Sequence, residues 1–342
     1  MAKLNFKKLK KPYFIAEIGG NHAGNHKLAL EGIINAKKAN ANCVKFQMYR
    51  ADELVTKSMP VMHHVKKTSN DKSQNQRFKK LELNEKNIID YYNLCKRVKI
   101  DLSITPFYLD SIKFLSKFVS FFKIASGDID FFPMIELIAK QKKPVVVSTG
   151  MSSLHEIREI LKILKKNQVV LLHCISSYPT IEKDLNLNSF LNLKKFKKTL
   201  GFSDHTKDKL GAIMSLSFGA KVFEKHFLPN SKIKNVGDYK LSLNPIEMKD
   251  YIYTINKCFQ ALGDKRFKPF KAERPFYNSL RRSIYFRHNL KKGHILSKND
   301  LIFLRPYSKT SIRNLNYKNL IGKKVNEPVS KEQSVVKKLV KY

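Results

Sequence analysis

Residues 199–227 read TLGFSDHTKDKLGAIMSLSFGAKVFEKHF. Two short β-rich runs, Leu200–Ser203 and Val222–Phe227, bracket a stretch, 207–218, whose apolar residues recur at helical spacing. The pattern is strand, helix, strand, with a connection long enough for a parallel crossover. Outward from this stretch the same unit recurs through residues 13–261. The other β-like runs are Tyr13–Ile18, Cys43–Met48, Asp101–Thr105, Phe121–Ala125, Pro144–Ser148 and Val169–Cys174. Helical patterns follow the eight runs at 26–40, 85–99, 109–118, 132–141, 153–166, 186–197, 207–218 and 245–262. Continuous apolar strands such as VVVS (145–148) and VVLLHC (169–174) suit a parallel sheet buried on both faces. Eight β/α units in about 250 residues predict an α/β fold, a (β/α)8 TIM barrel. A doubly wound open sheet is the alternative, but no GxGxxG opens the first helix.

Two segments break the rhythm. Residues 50–82 form a long polar insertion after the second strand, a length usually reserved for functional loops. The barrel is expected over 1–262, then a linker over 263–280 (GDKRFKPFKAERPFYNSL), then a small strand-and-turn domain over 281–342. Phe267, Phe270, Phe276 and Tyr277 in the linker read as packing groups between domains. The chain has 342 residues, 66 Lys+Arg against 28 Asp+Glu, and a net charge of +38. Only 11 of the basic residues are Arg. The excess is Lys, spread along the chain, in a composition typical of A/T-rich codons. It reads as a solvated surface and not as a specific nucleic-acid face. No apolar run approaches the length of a membrane span, and the basic start lacks a secretory cleavage pattern. Cys43, Cys95, Cys174 and Cys258 lie far apart, as reduced thiols of a cytoplasmic protein would.

Parallel barrels carry their chemistry at the C-terminal strand ends. Here those ends are polar: Glu17; Lys45 and Gln47; Ser103 and Thr105; Lys123 and Ser126; Ser148; His173; Ser203, Asp204 and His205; Glu224 and His226. Residues two apart in a strand share a face. Lys45/Gln47, Ser103/Thr105, Ser203/His205 and Glu224/His226 therefore point together, with apolar residues such as Val44, Phe46 and Phe223 between them. Ser and Thr at these ends can be helix caps. Two Lys, two Glu and two His inside apolar strands need partners, which points to one shared site. His205 and His226, on neighbouring strands about 5 Å apart, with Asp204 and Glu224 beside them, could hold a metal. Without a nearby Cys, Mn²⁺ or Mg²⁺ suits better than structural zinc. Lys45, Lys123, Thr105, Ser126, Ser148 and Ser203 form a donor-rich patch fit for phosphate or carboxylate. The two Lys could instead serve as Schiff-base nucleophiles. GGNHAGN (19–25) lacks the GK[ST] ending of a phosphate loop, so it is a weak signal.

In order, the motifs FIAEIGGNHAGN (14–25), VKFQMYRADELVTK (44–57), SITPF, FKIASGD, VVVSTGM, LLHCISSYPT, GFSDHT and EKHF resemble those of the sialic acid (nonulosonate) synthases, over nearly the whole chain. The segment NLKKGHILSKNDLIFLRP resembles that family's antifreeze-like (SAF) domain. The resemblance implies condensation of phosphoenolpyruvate with an N-acyl amino sugar, typically N-acetylmannosamine. The products are a nine-carbon 2-keto acid and phosphate, with the C–O bond of phosphoenolpyruvate cleaved. Pseudaminic or legionaminic acid synthesis, or a surface-polysaccharide role, is the alternative. It implies a divalent metal, Mn²⁺ ahead of Mg²⁺ or Co²⁺, on His205 and His226. Glu17 would act on the water or on the oxocarbenium. Lys45, Thr105, Lys123, Ser126, Ser148 and Ser203 would hold phosphoenolpyruvate. Gln47, Tyr178, Glu224 and Asp238 would line the sugar pocket, with Arg305 of LRPYS supplied by the partner in a domain-swapped homodimer. The chain departs from the family pattern at VGDYKLSL (236–243), at RPYSK (305–309) and at Ser176, all on the sugar side.

Overall fold

The computed structural model describes residues 4–63, 65, 70–234 and 236–341. Eight parallel strands close into a barrel in sequence order. They are β1 (Tyr13–Glu17), β2 (Cys43–Met48), β3 (Asp101–Pro106), β4 (Phe121–Ile124), β5 (Val145–Ser148), β6 (Val169–Cys174), β7 (Thr199–Asp204) and β8 (Ala220–His226). β1 pairs with β8, which closes the ring. This is the TIM barrel the periodicity predicts, with strand boundaries shifted by one or two residues. The open doubly wound sheet is excluded.

Alternation along each strand sorts side chains into two layers. Outward residues such as Phe14, Ala16, Val44, Phe46, Phe202 and Phe223 pack with the helices in one large core. Inward residues early in most strands are apolar, namely Tyr13, Ile15, Cys43, Phe121, Val146, Val170 and Val222, while Asp101 on β3 accepts from Tyr13 Oη at 2.7 Å. A short turn, Phe6–Lys8, plugs that end, with the Phe6 ring edge-on to Tyr13 at 5.4 Å and to Phe121 at 5.3 Å. One step further along the strands the inward positions become Glu17, Lys45, Lys123, Ser148, Ser203 and Glu224. The barrel is thus mainly apolar at its N-terminal end and ionic at the other. Gly201 is needed in β7, because a Cβ there would stand 2.2 Å from the Val222 carbonyl oxygen.

Helix starts follow local chemistry. Asn244 caps Pro245–Ala261 through Ile246 and Glu247 N–H, and Glu247 returns the bond in a capping box. Ser153 and Glu156 do the same for Leu154–Ile163. The insertion contains two short helices, Ala51–Leu54 and Gln74–Lys79.

The chain divides into two compact units, 1–263 and 264–342. The second has its own small core, including Ile284, Phe286, Leu301, Leu320, Val335 and Leu339. It is built on the antiparallel strands β9 (Ser283–Phe286) and β10 (Leu301–Leu304). The stretch expected to be a plain linker carries a helix, Arg274–Leu280. Phe267, Phe270 and Phe276 are exposed, and Tyr277 meets the Tyr307 ring at 5.3 Å. Among the described residues no helix is long and apolar enough to cross a membrane. The four cysteines are free thiols.

Candidate active site

The register brings the strand-end residues into one ring. Glu17 lies level with Lys45 on β2 and His226 on β8, Lys45 with Ser103, Gln47 with Thr105, and Ser203 with Glu224. At the centre stand two carboxylates and two ammonium groups, all buried. Lys45 Nζ is 2.7 Å from Glu17 Oε2 and 3.8 Å from Glu224 Oε2. Lys123 Nζ is 3.6 Å from Glu224 Oε1. Lys123 also donates to Ser148 Oγ at 2.8 Å and to the Ile124 carbonyl at 3.2 Å, and Lys45 donates to Thr105 Oγ1 at 3.3 Å. Ser203 Oγ donates to Glu224 Oε1 at 2.9 Å, and Gln47 Nε2 to Glu17 Oε1 at 2.7 Å.

The environments drive the two carboxylates apart. Burial opposes the charge on Glu224, but Lys123 and Lys45 overcome it and hold its pKa down to about 2. Burial dominates at Glu17 and raises its pKa, against Lys45 and with Glu224 adding to the rise. Of the ammoniums, burial lowers Lys123. Burial also works against Lys45, but Glu17 and Glu224 outweigh it and raise its pKa. Glu224 is therefore the fixed anion, and Glu17 is the carboxylate nearer to exchanging a proton.

Above this ring sit the two histidines, ring centroids 5.5 Å apart. His205 Nδ1 is 2.7 Å from the Ile175 carbonyl oxygen, and the ring lies against Tyr178 at 4.3 Å. Burial opposes a charge on His205, but Cys174, 3.8 Å away, and Ile175 raise its pKa to about 9. Burial lowers His226 to about 4 despite Asp238 Oδ2 at 3.3 Å from its Nδ1. Asp238 is set by the GGNH loop. Asn21 Oδ1 accepts its N–H at 3.2 Å, while Asn21 Nδ2 donates to the Phe227 carbonyl and to Ser242. The weak phosphate-loop signal at 19–25 is thus a tether for the loop that carries Asp238. Gly237 has a φ of +37°, and a Cβ on it would meet Asn21 Oδ1 at 2.7 Å.

All these groups open on one cavity of about 540 Å³. Glu17, Lys45, Gln47, Lys123, Ser126, Ser148, Tyr178, Ser203, His205, Glu224, His226 and Asp238 line it, and Thr105 is joined to it through Lys45. Ser126 Oγ accepts the Gly150 N–H at 3.1 Å. Arg305 belongs to the second unit, exposed just after β10. Among the described residues, eight buried side-chain polar atoms lack a hydrogen-bond partner. Five of them belong to this lining: Asp128 Oδ2 and Ser176 Oγ, and three that have only an ion-pair neighbour, Glu17 Oε2 and Glu224 Oε2 beside Lys45 and His226 Nδ1 beside Asp238. Native interiors rarely leave such atoms unsatisfied, so the cavity is built for a polar guest.

Two sequence expectations fail here. Asp204 does not face the histidines. It points outward to Lys225 at 3.3 Å and Tyr251 Oη at 3.0 Å, because it has the opposite parity to Ser203 and His205. His173 also points outward, bonded to the Leu185 carbonyl and Ser189 and stacked on Phe202. Strict alternation from Val170 and Leu172 selects Cys174 in its place, and Cys174 lines the cavity. Asp128, lifted by burial and by Asp130 to about 6, was also missed. So was a wall from the insertion that includes Arg77, Phe78 and Leu81. The insertion has no periodic pattern that would have pointed these side chains inward.

Fold and site together define a parallel barrel with a buried ionic cavity at its C-terminal mouth, followed by a small second unit. The sequence profile of the NeuB family matches residues 32–267, and that of the SAF domain matches residues 281–341. The chain belongs to the NeuB family. It is 36% identical over 323 residues to an N,N'-diacetyllegionaminic acid synthase of Campylobacter jejuni, covering 92% of this chain and 96% of that protein. A pseudaminic acid synthase of C. jejuni is 34% identical, with 95% of each chain covered. A crystal structure of the N-acetylneuraminic acid synthetase of Leptospira borgpetersenii superposes with a TM-score of 0.70 at 29% identity, covering 79% of this chain and 93% of that one. These relatives are nonulosonic acid synthases.

Proposed function

We propose that this protein condenses phosphoenolpyruvate with an open-chain N-acyl amino sugar and water. The products are a nine-carbon 2-keto sugar acid and inorganic phosphate. The observation that carries the reading is the inward ring of Lys45, Lys123, Thr105, Ser126, Ser148 and Ser203 beneath two adjacent imidazoles. Two buried ammonium groups with hydroxyl donors match a small molecule carrying both a carboxylate and a phosphate. Glu17, whose pKa is raised by burial, is suited to take a proton from the water that adds at C2, or to stabilise the cationic carbon there. Gln47 holds Glu17 in place. Tyr178, Glu224 and Asp238 would face the sugar, and Arg305 of the partner subunit would reach its N-acyl group in a swapped homodimer.

The donor set fits a divalent metal at His205 and His226. The buried His226 Nδ1 makes no hydrogen bond, with Asp238 Oδ2 beside it at 3.3 Å, and burial keeps that ring neutral, the state that ligates. His205 Nδ1 faces the Ile175 carbonyl, which leaves Nε2 as its ligating nitrogen, and the proton that a pKa of about 9 keeps on the ring would be displaced on ligation. Among the described residues no three His, Cys, Asp or Glu side chains form a closed metal cage. The site would therefore be an open one, completed by substrate and water, for Mn²⁺ ahead of Mg²⁺ or Co²⁺. Such an ion would polarise the sugar aldehyde as a Lewis acid.

N-acetylmannosamine is the sugar the motif series suggests. The C. jejuni relatives favour a second reading, a 6-deoxy sugar with two acetamido groups, as their names as legionaminic and pseudaminic acid synthases imply. The test is phosphate release from phosphoenolpyruvate with Mn²⁺ and a panel of N-acetylmannosamine, its 6-phosphate and the diacetamido sugars. Release with none of them, from folded protein, overturns the proposal.

A further inference from the structure

Behind the two histidines, on the helix side of the barrel, lies a second set of buried ionisable groups. Asp204, Lys225 and Tyr251 are 0%, 1% and 2% exposed. Asp204 stands between Ser203 and His205 on β7 and its following turn. Lys225 stands between Glu224 and His226 on β8, and the register sets Asp204 level with Lys225. Both have the parity opposite to the cavity residues, so neither can touch substrate.

Their bonds converge on Thr206, the residue after His205. Asp204 Oδ1 accepts the Thr206 N–H at 2.9 Å and the Thr206 hydroxyl at 2.7 Å. Lys225 Nζ donates to the Thr206 carbonyl at 2.5 Å and pairs with Asp204 at 3.3 Å. Asp204 Oδ2 accepts from Tyr251 Oη at 3.0 Å, tying the assembly to the helix Pro245–Ala261. On the other side, the His205 carbonyl accepts the Thr180 N–H at 2.9 Å, and its Nδ1 meets the Ile175 carbonyl. The turn bearing His205 is thus gripped at both ends of the next residue, by side chains from its own strand and from the strand that bears His226.

We infer that Asp204, Lys225 and Tyr251 form a clamp that sets the separation and aim of the His205 and His226 imidazoles, and that they are positioning residues for the two-histidine centre. The inference rests on the proposed function. A buried ion pair gives little net stability over an apolar pair of like volume. An apolar pair can therefore replace the packing, but not the directed bonds to Thr206. Groups that orient metal ligands from behind typically alter metal affinity by about 10–100-fold when removed.

The test uses the full chain and three variants: Asp204→Leu/Lys225→Met, Lys225→Met and Tyr251→Phe. Mn²⁺ affinity is measured by calorimetric titration without substrate, thermal midpoint by unfolding, and kcat by phosphate release. The double apolar variant should keep a thermal midpoint close to the parent, bind Mn²⁺ at least about tenfold more weakly, and lose kcat in step. Parent-like Mn²⁺ affinity and kcat in that variant would overturn the clamp and leave the pair structural. If the double variant does not fold, Tyr251→Phe, which removes one hydroxyl, decides. Weaker Mn²⁺ binding at an unchanged midpoint supports the clamp, and unchanged binding overturns it. A parent protein that neither binds Mn²⁺ nor releases phosphate refutes the proposed function itself, a result separate from any difference between variants.

Discussion

Replacing Glu224 by Gln tests the electrostatic core of the site. The carboxylate is 5% exposed, with Ser203 Oγ at 2.9 Å, Lys123 at 3.6 Å and Lys45 at 3.8 Å. Burial alone would raise its pKa, but the two ammonium groups and Ser203 hold it down from 4.5 to about 2. That displacement corresponds to about 3 kcal/mol of native-state stabilisation. Removing one partner of a buried ion pair costs about as much by direct comparison, ~3–5 kcal/mol. The sign follows from the folded pKa lying below the unfolded one. The stabilisation is complete above pH 4.5 and is lost as pH falls through about 2. Glu224→Gln should therefore lose about 3 kcal/mol at neutral pH, and the deficit should shrink as pH falls below 4.5. For a unit of this size each kcal/mol shifts Tm by about 2–4 °C, so a drop of roughly 6–12 °C is expected at neutral pH. Urea unfolding of parent and variant without metal or substrate, at neutral pH and at about pH 3, measures the deficit, and thermal unfolding at neutral pH measures the Tm drop. An unchanged midpoint at neutral pH, or a deficit of the same size at both, refutes the reasoning.

Glu17→Gln keeps the shape and the Gln47 contact but cannot accept a proton. It should lower kcat about 10²–10⁴-fold with little change in the KM for phosphoenolpyruvate, and a variant with full kcat rejects the role given to Glu17. Ser148→Ala removes the 2.8 Å partner of Lys123 and should raise that KM by up to about tenfold, as loss of one hydrogen bond would; steady-state kinetics decides. Gly237→Ala places a Cβ against Asn21 and should weaken sugar saturation more than phosphoenolpyruvate saturation, read as separate KM values. Borohydride with pyruvate, whose ketone can form an imine as the enol phosphate of phosphoenolpyruvate cannot, should leave no adduct on Lys45 or Lys123, by mass spectrometry. A trapped adduct favours the Schiff-base chemistry.

Much of the barrel was legible because it is local. Alternation along VVVS or VVLLHC, and helical spacing between the runs, lie within a few consecutive residues. The same alternation correctly grouped Lys45 with Gln47 and Glu224 with His226. Applied without exception, it would also have turned Asp204 and His173 outward and Cys174 inward. The insertion was harder. Its short helices, Ala51–Leu54 and Gln74–Lys79, are too brief to show a period, so Arg77 and Phe78 gave no sign of facing the cavity. The helix Arg274–Leu280 was hidden for the same reason.

The amino-acid sequence by itself determined the eight β/α units, the small C-terminal domain, and which strand-end residues share a face, because these follow from backbone periodicity. The tertiary structure alone decided who meets whom across the ring. Pairing β1 with β2 set Glu17 beside Lys45, closing β1 on β8 set it level with His226, and the closed ring made Glu224 the shared anion of two lysines. It also brought Asn21 under the Asp238 loop, 217 residues away, and Tyr251 onto Asp204. Such pairings have no spacing to read. They exist only when a closed barrel brings distant segments within hydrogen-bond reach. There, burial sharpens each charge interaction enough to separate two like carboxylates into different protonation ranges.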